Sequence, residues 1–212
     1  MSAAADAGRA PHPKASAKKQ RQVQERLLDA VDQLLIDGAS YTELSVGRIT
    51  KQAGMARSTF YVYFTDKGEL LRATFADIAA EIEDAAVAWF AFGAGQDRDA
   101  LRRALDPVIR TYNPHTTLMG AAYAAAAYDP LIRAEVERIT ARSIAGLRRH
   151  IRRGQAEGFV RADVLPGETA TWLIWMTERC QHTILDRAEP DELDAMIDSY
   201  TDLVWEALYA RV

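Results

Sequence analysis

"GMARSTFYVYF", residues 54–64, is the stretch on which the fold turns. Its last five residues are all aromatic or β-branched, and Phe60, Val62 and Phe64 alternate with Tyr61 and Tyr63. Taken alone, that alternation reads as a half-buried strand. The sequence on either side is helical in period and offers no second strand to pair with. A lone strand would leave its backbone N–H and C=O groups unsatisfied. The stretch from Arg57 to Phe64 is therefore expected to be a short helix whose tertiary setting overrides local propensity. At about 100° per residue, Phe60 and Phe64 share one face and bury. Ser58 and Val62 point the opposite way, Thr59 and Tyr63 flank one side, Tyr61 flanks the other, and Arg57 stands at the start.

Working outward, Ser45 offers an N-cap to a helix carrying Val46, Ile49 and Ala53, which Gly54 ends. Upstream, a helical period starts at Gln22, with Val23, Leu27, Ala30, Val31, Leu34 and Leu35 on one face and Gly38 as the stop. Downstream, Asp66 and Glu69 make a D-x-x-E capping box. Leu70, Leu71, Phe75, Ile78 and Ile82 carry that helix to about Phe92, where GAGQD breaks it. Further helices are expected near Arg98 to Tyr112, His115 to Ala127, Pro130 to Glu157, Gly167 to Arg187 and Asp191 to Ala210. Asn113-Pro114, Asp129-Pro130, Gly158, Leu165-Pro166-Gly167 and Glu189-Pro190 separate them. The fold class is all-α, with nine helices. Residues 1–20, made of Ala, Pro, Ser and Lys without period, are expected to form a disordered basic arm. Residues 21–67 form a first, three-helix domain and residues 68–212 a larger helical one.

The charges divide along the same line. The chain has 212 residues and net charge −4. Residues 1–72 hold eleven Lys or Arg against eight Asp or Glu, residues 73–212 fifteen against twenty-two, and no lysine follows Lys67. A basic front and an acidic back imply two jobs. The one cysteine, Cys180, allows no disulfide within the chain, as in a reducing cytoplasm. The N-terminus has no apolar core of a secretory signal, and no apolar stretch approaches the roughly 20 residues of a membrane span.

Short helix, Gly-containing turn, short helix is the helix-turn-helix plan. A major groove admits a helix whose central residues are small. Val62 suits thymine methyls, and Arg57 suits paired hydrogen bonds to guanine. The hydroxyls of Thr59, Tyr61 and Tyr63 suit phosphates, as does Lys67 at the next helix start. The helix that begins at Ser45 would cross the DNA backbone. The bland alternative is an αα-hairpin whose tyrosines are half-buried core.

"LSVGRITKQAGMARSTFYVYFTDKGELL", residues 44–71, resembles the helix-turn-helix of the TetR family of transcriptional repressors. The match to T-x-x-x-I-x-x-x-A-G-x-x-x-x-T-x-Y-x-Y/H-F-x-x-K-x-x-L is dense. The resemblance implies DNA contacts at Ser45, Arg57, Ser58, Thr59, Tyr61, Val62, Tyr63 and Lys67. Ala56 departs from it, standing where members often have a Ser or Thr cap. Family members are all-helical and usually dimers through their last two helices, packed as a four-helix bundle. The resemblance thus implies a homodimer on a roughly palindromic operator. From about Leu101 onward the chain is similar to the ethionamide-resistance-repressor branch, with "MTERC", "LVWEALYARV" and "TFYVYF" carrying the likeness. That likeness implies a small hydrophobic effector. Its lining would be Leu101, Val108, Tyr112, Val136, Thr140, Ser143, Leu147, Ile174, Thr177, Glu178, His182 and Trp205. Trp172, Trp175, Trp205 and Tyr112 at helical spacing read equally as ordinary core. Glu178, between apolar turns, needs a partner, for which Arg142, His182 or a ligand cation are candidates.

An enzyme is the rival class. None of His12, His115, His150 and His182 belongs to H-E-x-x-H or E-x-x-H, and no phosphate loop or nucleophile elbow occurs. No catalytic residue, metal or cofactor is expected. The second alternative is a DNA-binding dimer whose larger part takes no effector.

Overall fold

A computed structural model describes residues 17–183 and 189–210, and in it the disputed stretch is helical. Phe60 is fully buried and Phe64 nearly so, which anchors the helix from one side. Among the described residues ten α-helices run in order: α1 (Ala17–Ile36), α2 (Val46–Gln52), α3 (Arg57–Tyr63), α4 (Lys67–Ala85), α5 (Val87–Phe90), α6 (Arg98–Tyr112), α7 (Thr116–Ala125), α8 (Pro130–Glu157), α9 (Pro166–Thr183) and α10 (Pro190–Leu208). Single 3₁₀ turns lie at Tyr41–Glu43 and Asn113–His115, and the described residues contain no strand.

The expected boundaries shift in three places. Helix α1 already begins at Ala17, inside the stretch read as arm; residues 1–16 lie outside the described ones. The helix expected to run from Asp66 to Phe92 breaks at Ala86, giving α4 and the single turn α5, hence ten helices among the described residues rather than nine. Helix α9 is described to Thr183, and the rest of its expected length, 184–187, falls outside the described residues.

Local chemistry sets the ends. Ser45 Oγ accepts from Arg48 N at 3.2 Å and Asp66 Oδ1 from Glu69 N at 2.7 Å, both as N-caps. Glu69 completes its box one residue early, accepting from Thr65 N at 2.6 Å and Thr65 Oγ1 at 2.7 Å. The turn between α2 and α3 is a Schellman closure. Met55 N bonds Thr50 O at 2.8 Å, Gly54 N bonds Lys51 O at 3.2 Å, and Gly54 sits at φ +62°. Only a residue without a Cβ takes that conformation at no steric cost.

Among the described residues two large cores hold the molecule, with a small third cluster of Ile109 from α6 and Leu193 and Ile197 from α10. The first joins Leu27 and Val31 of α1, Ile49 of α2, Phe60 of α3, Leu70, Phe75 and Ile78 of α4, and residues of α7 and α8 including Met119 and Ile139. It runs straight through position 67, so the N-terminal helices and α4 share one interior. The second gathers Trp89, Phe92, Leu101, Leu105, Leu147, Ile151, Phe159, Val160, Leu173, Val204 and Leu208. At its edge a Cβ on Gly154 would stand 2.9 Å from Val160 Cβ and 2.8 Å from Phe159 Cε2, so α8 accepts only glycine where the chain folds back. Outside this core, Arg98, Arg102 and Arg110 of α6 interleave with Asp194, Asp198 and Asp202 of α10 as an ion-pair ladder.

His150 is buried in that second core. Its Nε2 lies 2.8 Å from Tyr209 Oη, which also accepts from Trp89 Nε1 at 3.1 Å. Burial, with Arg153 nearby, lowers the imidazole pKa to about 4. The unfolded chain therefore binds the proton first as pH falls below about 6.5. Stability from this group is complete above that pH, and declines down to about 4, where the folded form also protonates. We expect a loss of about 2 kcal/mol between pH 7 and pH 5 in urea titrations, and a flatter profile for His150→Gln.

Candidate DNA interface and the cavity behind it

Helix α3 presents the face its spacing predicts. Val62 is 51% exposed and Tyr61 52%, Arg57 and Ser58 are exposed, and Thr59 and Tyr63 are half-buried. Tyr61 packs edge-on against the buried Phe60 ring, at 5.4 Å between centroids, which steadies its phenol at the rim. The Arg57 guanidinium lies over Gly47 of α2, 3.3 Å from where a Cβ would be. This contact pairs the two helices while leaving the arginine exposed. Ala56 gives α3 no side-chain cap. The helix therefore depends on Phe60 and Phe64 for its hold on the body.

Two exposed cations on α2, Arg48 and Lys51, are absent from the residues expected to meet DNA. They sit at i, i+3 and so share one face of α2. That spacing was visible in the sequence.

Lys67 does not stand where its assignment to phosphate requires. Its ammonium donates to Tyr41 O at 2.9 Å, Thr42 O at 2.7 Å and Leu44 O at 2.7 Å, and lies 5.3 Å from the Tyr41 ring centroid. Lysine has three N–H donors, and all are used. The Tyr41 phenol returns a hydrogen bond to Lys67 O. Desolvation lowers the Lys67 pKa. The residue is a clamp that fastens the turn before α2 to the start of α4. Asp66 meanwhile occupies one of the α4 amide donors that a phosphate would use, that of Glu69.

Behind the head, a cavity of about 90 Å³ lies among α4 to α10. Val108, Tyr112, Ser143, Ile174, Thr177 and Glu178 line it as expected, joined by Phe75, Ile82, Tyr123, Gln181 and Tyr200. The rest of the expected lining is placed differently. Leu101 and Leu147 are fully buried in the second core, Val136 belongs to the first, and Trp205 packs against the second. The first three are core residues, and Trp205 is half-buried against the core. Thr140 acts through Glu178, with its Oγ1 3.3 Å from Glu178 Oε1. The side chain of His182 lies outside the described residues.

Among the described residues Glu178 finds its partners in hydroxyls. Thr140 and the Tyr123 phenol hydrogen-bond it, while Arg142 pairs instead with Glu83 at 2.6 Å. Burial outweighs those hydrogen bonds and raises the Glu178 pKa. A carboxyl perturbed by desolvation in a cavity is the kind of group found at binding sites.

On the outside of α9 and α10, Trp172 is 77% exposed and Leu203 53%, with Trp175 and Met176 also exposed. Large apolar side chains so grouped on one surface mark an interaction face.

An exposed helix held by two buried phenylalanines, preceded by a Schellman turn and a capped helix, is a helix-turn-helix head on a helical body. Residues 27–74, from Leu27 in α1 to Thr74 in α4, match the model of bacterial regulatory proteins of the tetR family. The whole fold is shared with TetR-family structures. Salmonella enterica GusR superposes with a TM-score of 0.68 at 20% identity, covering 92% of this chain and 98% of its own. The TetR family regulator PfmR from Thermus thermophilus gives 0.67 at 18% identity, covering 85% and 93%. A TetR family transcription regulator from Marinobacter aquaeolei gives 0.58 at 25% identity, covering 91% and 100%. Among curated proteins, none matches the sequence. Among the described residues no helix is long and apolar enough to cross a membrane, and no three His, Cys, Asp or Glu are grouped to hold a metal.

Proposed function

We propose that the protein is a dimeric, sequence-specific TetR-family repressor of the cytoplasm, released from a palindromic operator by a small hydrophobic ligand. The observation that carries the reading is the α3 face. Arg57, Ser58 and Val62 are exposed while their neighbours Phe60 and Phe64 are buried. Arg57 and Val62 read bases; Ser45, Thr59, Tyr61 and Tyr63 hold phosphates. The apolar face on α9 and α10 supports a two-fold dimer through those helices, which sets the two α3 helices one or more turns of DNA apart. Residues 21–67 serve as the head and 68–212 as the sensing and dimerising body.

The ligand reading rests on the cavity and its perturbed carboxyl. The ethionamide-resistance-repressor-like branch is supported by Val108, Tyr112, Ser143, Ile174, Thr177 and Glu178 in the lining. Helix α4 is the lever. Lys67 clamps the head at one end, and Phe75, Ala79, Ile82 and Glu83 wall the cavity farther on, up to about 24 Å along the axis. A ligand shifts the balance between DNA-competent and spread forms only by binding one form more tightly.

Selection of bound DNA from a random pool tests the reading directly. It should return a two-fold repeat. Arg57→Ala should lose about 1–3 kcal/mol of preference at one position of each half-site and leave the others unchanged. A pool that shows no enrichment refutes it.

A further inference from the structure

The second half of α8 carries charge that the fold does not use. Arg148, Arg149 and Arg152 are exposed, and among the described residues no carboxylate pairs with any of them. Arg138 and Arg142, earlier on the same helix, do have such partners in Glu135 and Glu83. Positions 148 and 152 are four apart and 149 and 152 three apart, so the three cations share one side of α8 and repel one another. The helix dipole does not account for them. Its attraction for cations is confined to the last turn, and the last turn of α8 holds no basic residue. The neighbouring Arg153 is spent on the backbone, donating to Phe90 O at 2.9 Å and Phe92 O at 2.7 Å. An unpaired basic ridge on a body rich in acidic residues calls for an anionic partner.

The operator is not that partner. Asp129, just ahead of α8, lies against Gly68 at the head end of the molecule. Arg148 and Arg152 stand about 27–33 Å farther along the helix, away from DNA held by α3. The complementary surface is on the chain itself. A groove of about 640 Å³ separates α1 from α4, lined by Glu25, Asp29 and Asp32 from one helix and Asp77, Glu81 and Asp84 from the other. Each set steps by four residues and then three, so two acidic stripes face each other across the groove. Against them the lining offers only Arg21 and His115, whose ring lies 3.8 Å from Glu81. The stripes run about 10 Å and the arginine ridge about 6 Å, so a convex ridge fits within the length of a concave groove. Ridge and groove cannot meet within one chain. Helix α8 is fixed to α4 by Arg142 and Glu83, and the ridge lies beyond that pair, near Phe90.

We propose that the Arg148, Arg149 and Arg152 ridge of one copy docks in the α1–α4 groove of a second copy. The two surfaces differ, so the contact is heterologous and each associated copy still offers a ridge and a groove. Such contacts grow into filaments or rings rather than closing at a pair. Seated in the groove, the arginines also relieve the repulsion between α1 of the head and α4 behind it. The contact is separate from the apolar face on α9 and α10, and salt tells the two apart. The screening length falls from about 30 Å at 0.01 M salt to about 3 Å at 1 M, which dissolves a contact between exposed charges and spares an apolar one.

The test is sedimentation velocity on the full-length protein, without DNA, over a wide range of concentration. At about 0.01 M salt the average mass should rise steadily with concentration, and at about 1 M salt it should fall to one concentration-independent species. A ridge variant, Arg148→Glu with Arg152→Glu, and a groove variant, Asp29→Lys with Glu81→Lys, should each associate at least about tenfold more weakly at low salt. All four positions are exposed, so both variants should keep the wild-type melting temperature within a few degrees. An equimolar mixture of the two should associate again, because one supplies intact grooves and the other intact ridges. That recovery also shows that both variants are folded. A wild-type mass that ignores salt overturns the proposal, as does wild-type association by either variant, or a mixture that stays as weak as its parts. Loss of binding to a non-operator duplex by the ridge variant, with no self-association of the wild type, hands the ridge to DNA and likewise overturns it.

Discussion

Val62→Glu should abolish specific DNA binding while leaving the fold intact. Val62 is 51% exposed and sits on the outward face of α3 in its last turn, opposite the buried Phe60 and Phe64. An exposed substitution of this kind changes stability by about 0.5 kcal/mol or less. Glutamate is also no worse a helix former than valine, so α3 itself does not suffer. On DNA the same change places a carboxylate where the helix must approach bases between two phosphate rails. It removes an apolar contact, adds like-charge repulsion and desolvates an anion without a partner. We expect affinity to fall by about 100-fold or more, in fluorescence anisotropy with a selected operator. The melting temperature should stay within a degree or two. Val62→Ala separates the two causes, because it removes the contact without adding charge and should cost much less. Operator binding by Val62→Glu within threefold of wild type would mean that another surface faces the DNA.

The α3 face was legible because periodicity and chemistry agree there. Two phenylalanines at i, i+4 can only bury together, which forces Ser58 and Val62 outward. The caps at Ser45 and Asp66 and the stop at Gly54 were legible for a similar reason: each acts on backbone within five residues. Lys67 was misread because its partners are remote. Tyr41, Thr42 and Leu44 lie more than twenty positions upstream, and nothing in their side chains announces that their carbonyls converge. The α6–α10 ladder was hidden likewise. Arginines four and eight residues apart on one helix and aspartates at four-residue spacing on another become partners only once the two helices are adjacent.

The cavity shows a different limit. Leu101 and Val108 are seven residues apart on one face of α6, and Ser143 and Leu147 are four apart on one face of α8. In each pair one residue is sealed in the second core and the other lines the cavity. Helical period fixes the face on which a residue lies but not its height along the bundle, and height decides between core and cavity. Tyr123, Gln181 and Tyr200 escaped for the same reason. Their polar groups matter only because three helices bring them to one level. The buried amide of Gln181 is a property of tertiary packing alone, with no sequence signature.

Lys67→Met should destabilise the protein by about 3 kcal/mol, and it should weaken DNA binding in a way that distinguishes a clamp from a phosphate contact. Methionine keeps the length and apolar stem of lysine and removes the ammonium. Three backbone carbonyls then lose their donor, two of them on the buried residues Tyr41 and Leu44. Each unpaired buried carbonyl costs about 1–3 kcal/mol. Relief of the desolvation that lowers the Lys67 pKa returns part of that. Lys67→Arg should rescue little, because a planar guanidinium cannot aim three donors at carbonyls that converge on one point. The turn Tyr41–Glu43 would loosen from the start of α4, and α2 and α3 would lose their fixed angle to the body. DNA affinity should therefore fall at every salt concentration by a similar factor. A phosphate contact would behave otherwise. Its loss reduces the slope of log affinity against log salt by about one unit, with no matching loss of stability. Urea denaturation of Lys67→Met, together with binding measured across a range of potassium chloride, decides between them. Full stability with a flattened salt slope would return Lys67 to the DNA.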